Sequence, residues 1–145
     1  MLTILKSISI DRAPADVFSY LSDFTHDPDW RSEVLSSERV TAGREGVTDR
    51  YEQRMRVPGL ELRTHLFVTV CDPPRHLVAE GDSEGLSASQ DYVLEPAGDG
   101  TLLQVTTRIE PKGVLRVGEP IAMRFLKKRA DDNLRCLKRL LERRR

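Results

Sequence analysis

The clearest two-residue alternation in the chain is LELRTHLFVTVCD, residues 60–72. Its first face carries mostly apolar side chains: Leu60, Leu62, Thr64, Leu66, Val68 and Val70. Its second face carries the charged or polar side chains of Glu61, Arg63 and His65. A strand with one dry and one wet face is typical of an antiparallel sheet that packs on one side only.

Shorter alternating segments flank this strand on both sides. They span residues 3–11, 34–41, 48–58, 75–82, 86–96 and 101–111. The connections include Pro58-Gly59, Pro73-Pro74 and Gly98-Asp99-Gly100, all of which favour turns. Connections this short join antiparallel neighbours, because a parallel pair needs a long crossover. The pattern therefore predicts an antiparallel meander of about seven strands.

Three segments have helical signals instead. Pro14 suits the first position of a short helix, and Asp16 in its first turn complements the helix dipole. A second short helix is predicted to begin at Asp27, whose side chain can cap it ahead of Pro28; Trp30 and Val34 would then share one side. The longest helix is predicted over residues 117–143. Its apolar stripe is Leu126, Ala130, Leu134, Leu137 and Leu141.

The size and the composition predict a single α+β domain over residues 1–145. The 23 Lys and Arg residues balance the 23 Asp and Glu residues, which argues against a general nucleic-acid partner. No signal peptide and no apolar run of transmembrane length is present, so we predict a cytoplasmic protein. Cys71 and Cys136 lack metal-site spacing and are interpreted as packing thiols. The composition does not indicate an oligomeric state.

The order of these elements resembles the START-like (SRPBCC) superfamily of polyketide cyclases/dehydrases and lipid-transport proteins. The resemblance rests on four segments in order. They are IDRAPADVFSYLSD (10–23), the Pro28-x-Trp30 pair, YVLEPAGDGTLLQVT (92–106) and DNLRCLKRLLE (132–142). It implies the helix-grip fold, in which a curved antiparallel sheet wraps around a long C-terminal helix. It also implies a hydrophobic ligand held between the sheet and that helix.

Within this fold, the inward strand positions and the facing side of the long helix are the candidate cavity wall. Three polar residues lie among the apolar ones on these inferred inner faces, and two tyrosine hydroxyls there need partners. Either a ligand or mutual hydrogen bonds could satisfy them. Trp30 would lie at the cavity, or it would prop the terminal helix on the short helices. The predicted cavity residues are Trp30, Val34, Tyr51, Gln53, Met55, Thr64, Leu66, Tyr92, Leu94, Val105, Thr107, Met123, Leu126 and Ala130.

Motifs for catalysis and cofactors are weak. Residues 81–85 match G-x-S-x-G, but they lie between two predicted strands and not on a strand-to-helix turn. His26, Asp27 and Asp29 could suggest metal ligands, but Asp27 is better used as a helix cap. His65 and His76 lie on predicted strands with no evident partner, and no phosphate-binding glycine motif is present, so no metal and no cofactor is predicted.

Three functions remain open at this point. The first is binding or carrying a hydrophobic small molecule such as a lipid or a polyketide-like aromatic. The second is polyketide cyclisation or dehydration, which needs an acid or base in the cavity. The predicted inner strand faces contain no carboxylate or histidine. A register shift of one residue would bring in Glu52, Arg54 or His65. The third is protein interaction through the basic terminal helix. For the basic residues of that helix, the interpretation as an ordinary solvent-exposed face is favoured, because acidic residues interrupt the basic run.

Overall fold

The computed structural model of the chain describes residues 2–40, 49–113 and 119–143. Strand β1 is followed by two short helices, six further strands and one long helix. The helices are α1 (Pro14–Leu21), α2 (Asp27–Trp30), which follows a 3-10 turn (Phe24–His26), and α3 (Glu119–Arg143). The strands are β1 (Leu2–Ile10), β2 (Val34–Arg39), β3 (Arg50–Val57), β4 (Leu60–Asp72), β5 (His76–Asp82), β6 (Leu86–Ala97) and β7 (Gly100–Pro111).

The seven strands form one antiparallel sheet with the order β1-β7-β6-β5-β4-β3-β2. Every neighbour except the β1–β7 pair is also a neighbour in sequence, as expected for a meander closed by the first strand. In the β3–β4 pair, Tyr51 lies opposite Leu66 and Gln53 lies opposite Thr64. The structure confirms the predicted helix-grip fold, with a curved sheet and a long C-terminal helix.

Helix α3 packs its apolar stripe on the concave face of the sheet. Leu137 and Leu141 are fully buried against a core that includes Phe18, Phe24 and Leu103. Burial of this stripe, at roughly 25 cal/mol per Å² of apolar surface, is the main term that holds the helix on the sheet. None of the described helices combines the length and the apolar character that a membrane span requires.

The region around α2 differs from its prediction in two respects. Asp27 does not cap the helix, because its side chain turns into the protein interior and binds Arg31 and Gln53. Helix α2 is a single turn that ends at Trp30, so Val34 belongs to β2 and does not share a helix face with Trp30. The predicted continuation of β2 to residue 41, the residue 48 start of β3 and the helix start at 117 lie outside the described residues.

A close approach between the first and last strands explains the glycine at position 100. A Cβ atom there would lie 2.5 Å from the carbonyl oxygen of Ile10, which is a backbone atom that cannot turn away. Replacing Gly100 with alanine should therefore push β1 and β7 apart and lower the free energy of unfolding by about 1–3 kcal/mol. Urea denaturation measures this loss. Asp99→Ala on the same exposed turn is the control, and equal stability of the two variants would contradict the expectation.

Candidate functional site

A cavity lies between the concave face of the sheet and α3. Its volume is about 80 Å³, counted over the positions that the centre of a water-sized sphere can occupy. Met55, Leu66 and Val105 form part of the wall on the sheet side, and Leu126, Ala130 and Leu134 form part of the wall on the helix side. The wall is therefore mainly apolar, as ligand sites in proteins usually are.

The structure brings most of the predicted cavity residues together. Those that line the cavity are Trp30, Gln53, Met55, Thr64, Leu66, Val105, Thr107, Leu126 and Ala130. The other predicted residues are buried but lie outside the cavity wall: Val34, Tyr51, Tyr92, Leu94 and Met123. Gln53 and Met55 are thus buried in the cavity wall, whereas Arg54 and His65 are exposed on the other side of the sheet.

Some of the polar groups on the inner faces satisfy one another. Thr107 donates a hydrogen bond to Gln90 Oε1 at 2.6 Å, and Arg39 donates to the Tyr51 hydroxyl at 3.0 Å. Thr64 directs its hydroxyl at the sulfur of Met55 at 3.5 Å. For these residues the structure supports mutual hydrogen bonding, which was the alternative to a ligand contact.

A buried charged network closes one end of the cavity. Arg31 Nη1 lies 3.1 Å from Asp27 Oδ2, and Arg31 Nε lies 3.2 Å from Glu33 Oε1. All three residues are buried, and Arg31 and Glu33 line the cavity. The sequence predicted none of these three as site residues. The finding corrects the expectation of a cavity without a carboxylate, because Glu33 precedes β2 and therefore does not appear in any strand pattern.

Two amides tie this network to the sheet and to the long helix. Gln53 on β3 donates to Asp27 Oδ2 at 2.8 Å. Asn133 on α3 donates to both carboxylate oxygens of Glu33, at 3.1 Å and 2.8 Å, and its own carbonyl accepts from the backbone and hydroxyl of Ser32. The network thus fixes α3, β3 and the segment after α2 around the polar end of the cavity.

Burial and charge act in opposite directions on these groups. Burial raises the pKa of the Asp27 carboxyl to about 6, although Arg31 and Gln53 stabilise its ionised form. Burial alone would lower the pKa of Arg31, but Glu33 and Asp27 outweigh burial and raise it, so the guanidinium stays charged. Burial also raises the pKa of the Tyr92 hydroxyl, which lies near the same charges and remains neutral.

Two buried hydrogen-bond donors beside the network have no partner among the described residues. They are Trp30 Nε1 and the Tyr92 hydroxyl, whose rings pack edge to face with their centroids 6.5 Å apart. Trp30 also contributes to the cavity wall, and α2 contacts α3. Trp30 thus lies in the cavity wall, on a helix that also contacts α3.

The network left two signals in the sequence that could have revealed it. Asp27 and Arg31 stand four residues apart in a stretch that also holds a tryptophan, which is the spacing of an ion pair on one helical turn. Asn133 lies on the same side of α3 as the apolar stripe, next to Leu134 and one turn after Ala130. A polar residue at such a position indicates a buried hydrogen-bond partner.

The other candidate motifs have structural roles. Ser83 of the G-x-S-x-G match lies in the β5–β6 loop, where its hydroxyl bonds the backbone of Leu86. His76, predicted to lack a partner, lies 2.8 Å from Asp91 on the neighbouring strand. No group of three or more potential metal ligands occurs within residues 2–40, 49–113 and 119–143. Cys71 and Cys136 are free thiols.

Comparison with solved structures shows the same fold in several bacterial proteins. The Zhui aromatase/cyclase from Streptomyces sp. R1128 superposes with a TM-score of 0.80 at 12% identity, covering 99% of this chain and 94% of that one. A conserved protein from Geobacillus kaustophilus gives 0.77 at 21% identity, covering 98% and 96%. A START superfamily protein from Mycobacterium smegmatis gives 0.69 at 22% identity, covering 98% and 95%.

Sequence comparison assigns the family. A search of curated proteins finds no match. The family model described as polyketide cyclase / dehydrase and lipid transport matches residues 1–142, which is nearly the whole chain. The match agrees with the meander, the long terminal helix and the cavity between them. The chain therefore belongs to the polyketide cyclase/dehydrase and lipid-transport family.

Proposed function

We propose that the protein binds a compact, mainly apolar, uncharged molecule that bears one hydrogen-bond acceptor. The observation that carries this proposal is a cavity with a mainly apolar wall and a charged end at Arg31 and Glu33. Lys6 also lines the cavity, but its ammonium group is already paired with Asp131 at 3.2 Å. Apolar walls supply affinity, whereas a few fixed polar groups select the orientation of a ligand.

The cavity size supports a small ligand. One water needs roughly 10–15 Å³ by the same measure, so the cavity offers the space of about half a dozen waters. A single ring fits this space, whereas a long acyl chain or several fused rings would require α3 to move away from the sheet. Lipid carriage and polyketide binding are therefore proposals that need a wider cavity.

The charge of the site supports a neutral ligand with an acceptor group. The single positive charge of Arg31 is paired with the carboxylates of Asp27 and Glu33. The network therefore does not need an anionic ligand to balance the charge of Arg31. Arg31 has five N–H donors, and its contacts within the described part of the chain use its Nε and Nη1 atoms. A carbonyl or hydroxyl oxygen can accept from the remaining donors without adding a buried charge.

Three cyclohexane derivatives of similar size test this preference. Cyclohexanone should bind most tightly. Methylcyclohexane should bind about tenfold more weakly, because it lacks the acceptor. Cyclohexanecarboxylate should bind more weakly still, because its negative charge would be buried beside Glu33. Fluorescence of Trp30, the only tryptophan in the chain, reports binding, and calorimetry gives the affinity. Trp30→Phe controls for optical artefacts.

A cavity-filling variant tests the location. Ala130→Leu should abolish binding of all three compounds, because the added side chain occupies the space that Ala130 leaves beside Leu126. Ala15→Leu, at an exposed position of α1, makes the same change away from the cavity, and this variant should bind normally. Binding that survives Ala130→Leu would contradict the proposed site.

Cyclisation or dehydration of a polyketide-like substrate is the second candidate function. It is favoured by the pKa of about 6 at Asp27 and by the position of Glu33 in the cavity wall, since a general acid or base works best when its pKa lies near the working pH. Both carboxylates are committed to Arg31, which favours binding without turnover. Substrate conversion that Glu33→Gln abolishes, with ligand affinity retained, would establish the catalytic alternative.

A further inference from the structure

We propose that the outward side of the first half of α3 docks on an anionic membrane surface. We call this surface the basic face and define it as Ile121, Arg124, Lys127, Lys128 and Arg129. All five side chains are exposed. The residues between them on the inward side, Met123 and Leu126, are buried, so the basic face lies opposite the cavity wall.

Charge is distributed unevenly between α3 and the rest of the chain. Helix α3 contains eight Lys and Arg residues and four Asp and Glu residues, a net charge of 8 − 4 = +4. The whole chain has a net charge of +0, so the remaining residues together carry −4. A positive face on an otherwise negative protein orients the molecule toward an anionic surface.

The cations of the basic face are not neutralised locally. Asp131 pairs with Lys6, Asp132 pairs with Arg135, and Glu142 pairs with Lys138. Arg124, Lys127 and Lys128 have no acidic partner within the part of the chain that the structure describes. Arg129 lies 5.2 Å above the ring of Phe125, a contact that leaves its charge available.

An exposed apolar residue favours a membrane over an acidic protein or a nucleic acid. Ile121 is 69% exposed at the start of α3. Arg124 follows Ile121 after three residues, and Lys128 follows Arg124 after four, so all three lie on the outer side of the helix. Cations that flank an exposed aliphatic side chain are typical of helices that lie in the lipid headgroup region. A nucleic acid offers no apolar layer for Ile121.

The position of the basic face connects it to the cavity. The same turns of α3 that carry Arg124, Lys127 and Lys128 outward carry Leu126 and Ala130 into the cavity wall. Compact apolar molecules concentrate in bilayers, so docking would hold the cavity beside a store of ligand. This biological purpose depends on the proposed function, whereas docking itself does not.

Sedimentation with lipid vesicles tests the proposal. The protein should bind vesicles of phosphatidylcholine with about 30 mol% phosphatidylserine and not vesicles of phosphatidylcholine alone, and about 0.5 M NaCl should release it. Each lost cation should weaken binding about fivefold, so Arg124→Gln/Lys127→Gln/Lys128→Gln should weaken it about 100-fold. The matched control is Arg63→Gln/Arg75→Gln/Arg108→Gln, with the same change in charge on exposed strand and turn positions.

Two further variants separate the alternatives. Ile121→Ser should weaken vesicle binding several-fold while leaving binding to polyglutamate unchanged, and equal effects on both would show a general polyanion surface and overturn the membrane assignment. Ala130→Leu, which fills the cavity, should leave vesicle binding intact, so a failure of ligand binding is distinguishable from a failure of docking. Equal binding to both vesicle types, or an equal loss in the control triple variant, would also overturn the proposal.

Discussion

Replacing Arg31 with methionine is expected to lower the free energy of unfolding by about 3–5 kcal/mol at neutral pH. Methionine fills much of the same space, so the loss does not come from a cavity. It comes from Asp27 and Glu33, which remain buried without the cation that holds them 3.1 Å and 3.2 Å away. Urea denaturation followed by circular dichroism measures the change.

Two comparisons make this result specific to the buried charges. Arg63 forms a similar 3.2 Å pair with Glu52, but its side chain is 69% exposed, so Arg63→Met should cost no more than about 1 kcal/mol. Adding Asp27→Asn and Glu33→Gln to Arg31→Met should recover a large part of the lost stability, because neutral amides are cheaper to bury. Equal stability of the Arg31 and Arg63 variants would contradict the account of the network.

The second large effect is a dependence of stability on pH that originates at Asp27. Its pKa is raised from 3.8 to about 6 in the folded protein, so the native state binds this proton more tightly than the unfolded chain does. The resulting stabilisation is fully present below about pH 4 and is lost as the pH rises through about 6. At 1.36 kcal/mol per pKa unit, the loss amounts to about 3 kcal/mol.

The comparison of wild type with Asp27→Asn isolates this contribution, because other titrating groups occur in both proteins. The unfolding free energy of the wild type minus that of the variant should fall by about 3 kcal/mol between about pH 4 and pH 8. A difference that stays constant, or that rises with pH as for an ordinary surface ion pair, would show that Arg31 dominates over burial at Asp27.

The sheet and the long helix could be predicted from the sequence because their signals are periodic. The alternation of Tyr51, Gln53 and Met55 with charged residues sets which side of β3 faces the core, and a shift of one residue would bury Arg54. The leucine stripe on α3 likewise predicts that this side of the helix packs on the sheet, because any other orientation would expose the leucines. Each of these signals repeats over several turns or residue pairs, so one ambiguous residue does not alter it.

The charged end of the cavity could not be predicted in the same way. Arg31 and Glu33 lie in the short connection between α2 and β2, where no period indicates the direction of a side chain. Asp27 has two common uses beside a proline, as a helix cap or as an ion-pair partner, and local sequence favours the cap. The structure shows that Asp27 binds Gln53, which is 26 residues away in the chain, and that Glu33 binds Asn133, which is 100 residues away.

The sequence also predicted the polar strand residues as candidate ligand contacts, and the structure gives several of them protein partners. Thr107 binds Gln90, and the Tyr51 hydroxyl binds Arg39. Among the described residues, two buried donors without a partner are Trp30 Nε1 and the Tyr92 hydroxyl, which belong to predicted cavity residues and lie beside the buried charges. The charges at the polar end of the cavity thus come from the segment around α2, and Gln53 of β3 joins them by its hydrogen bond to Asp27.

A crystal structure of the protein with cyclohexanone tests the central claim most directly. The account predicts electron density for the ring between Leu66 and Ala130, with the ketone oxygen directed at the charged end near Arg31. Density only in the open groove beside Phe18 and Cys71, or a cavity that remains empty at saturating compound, would contradict it.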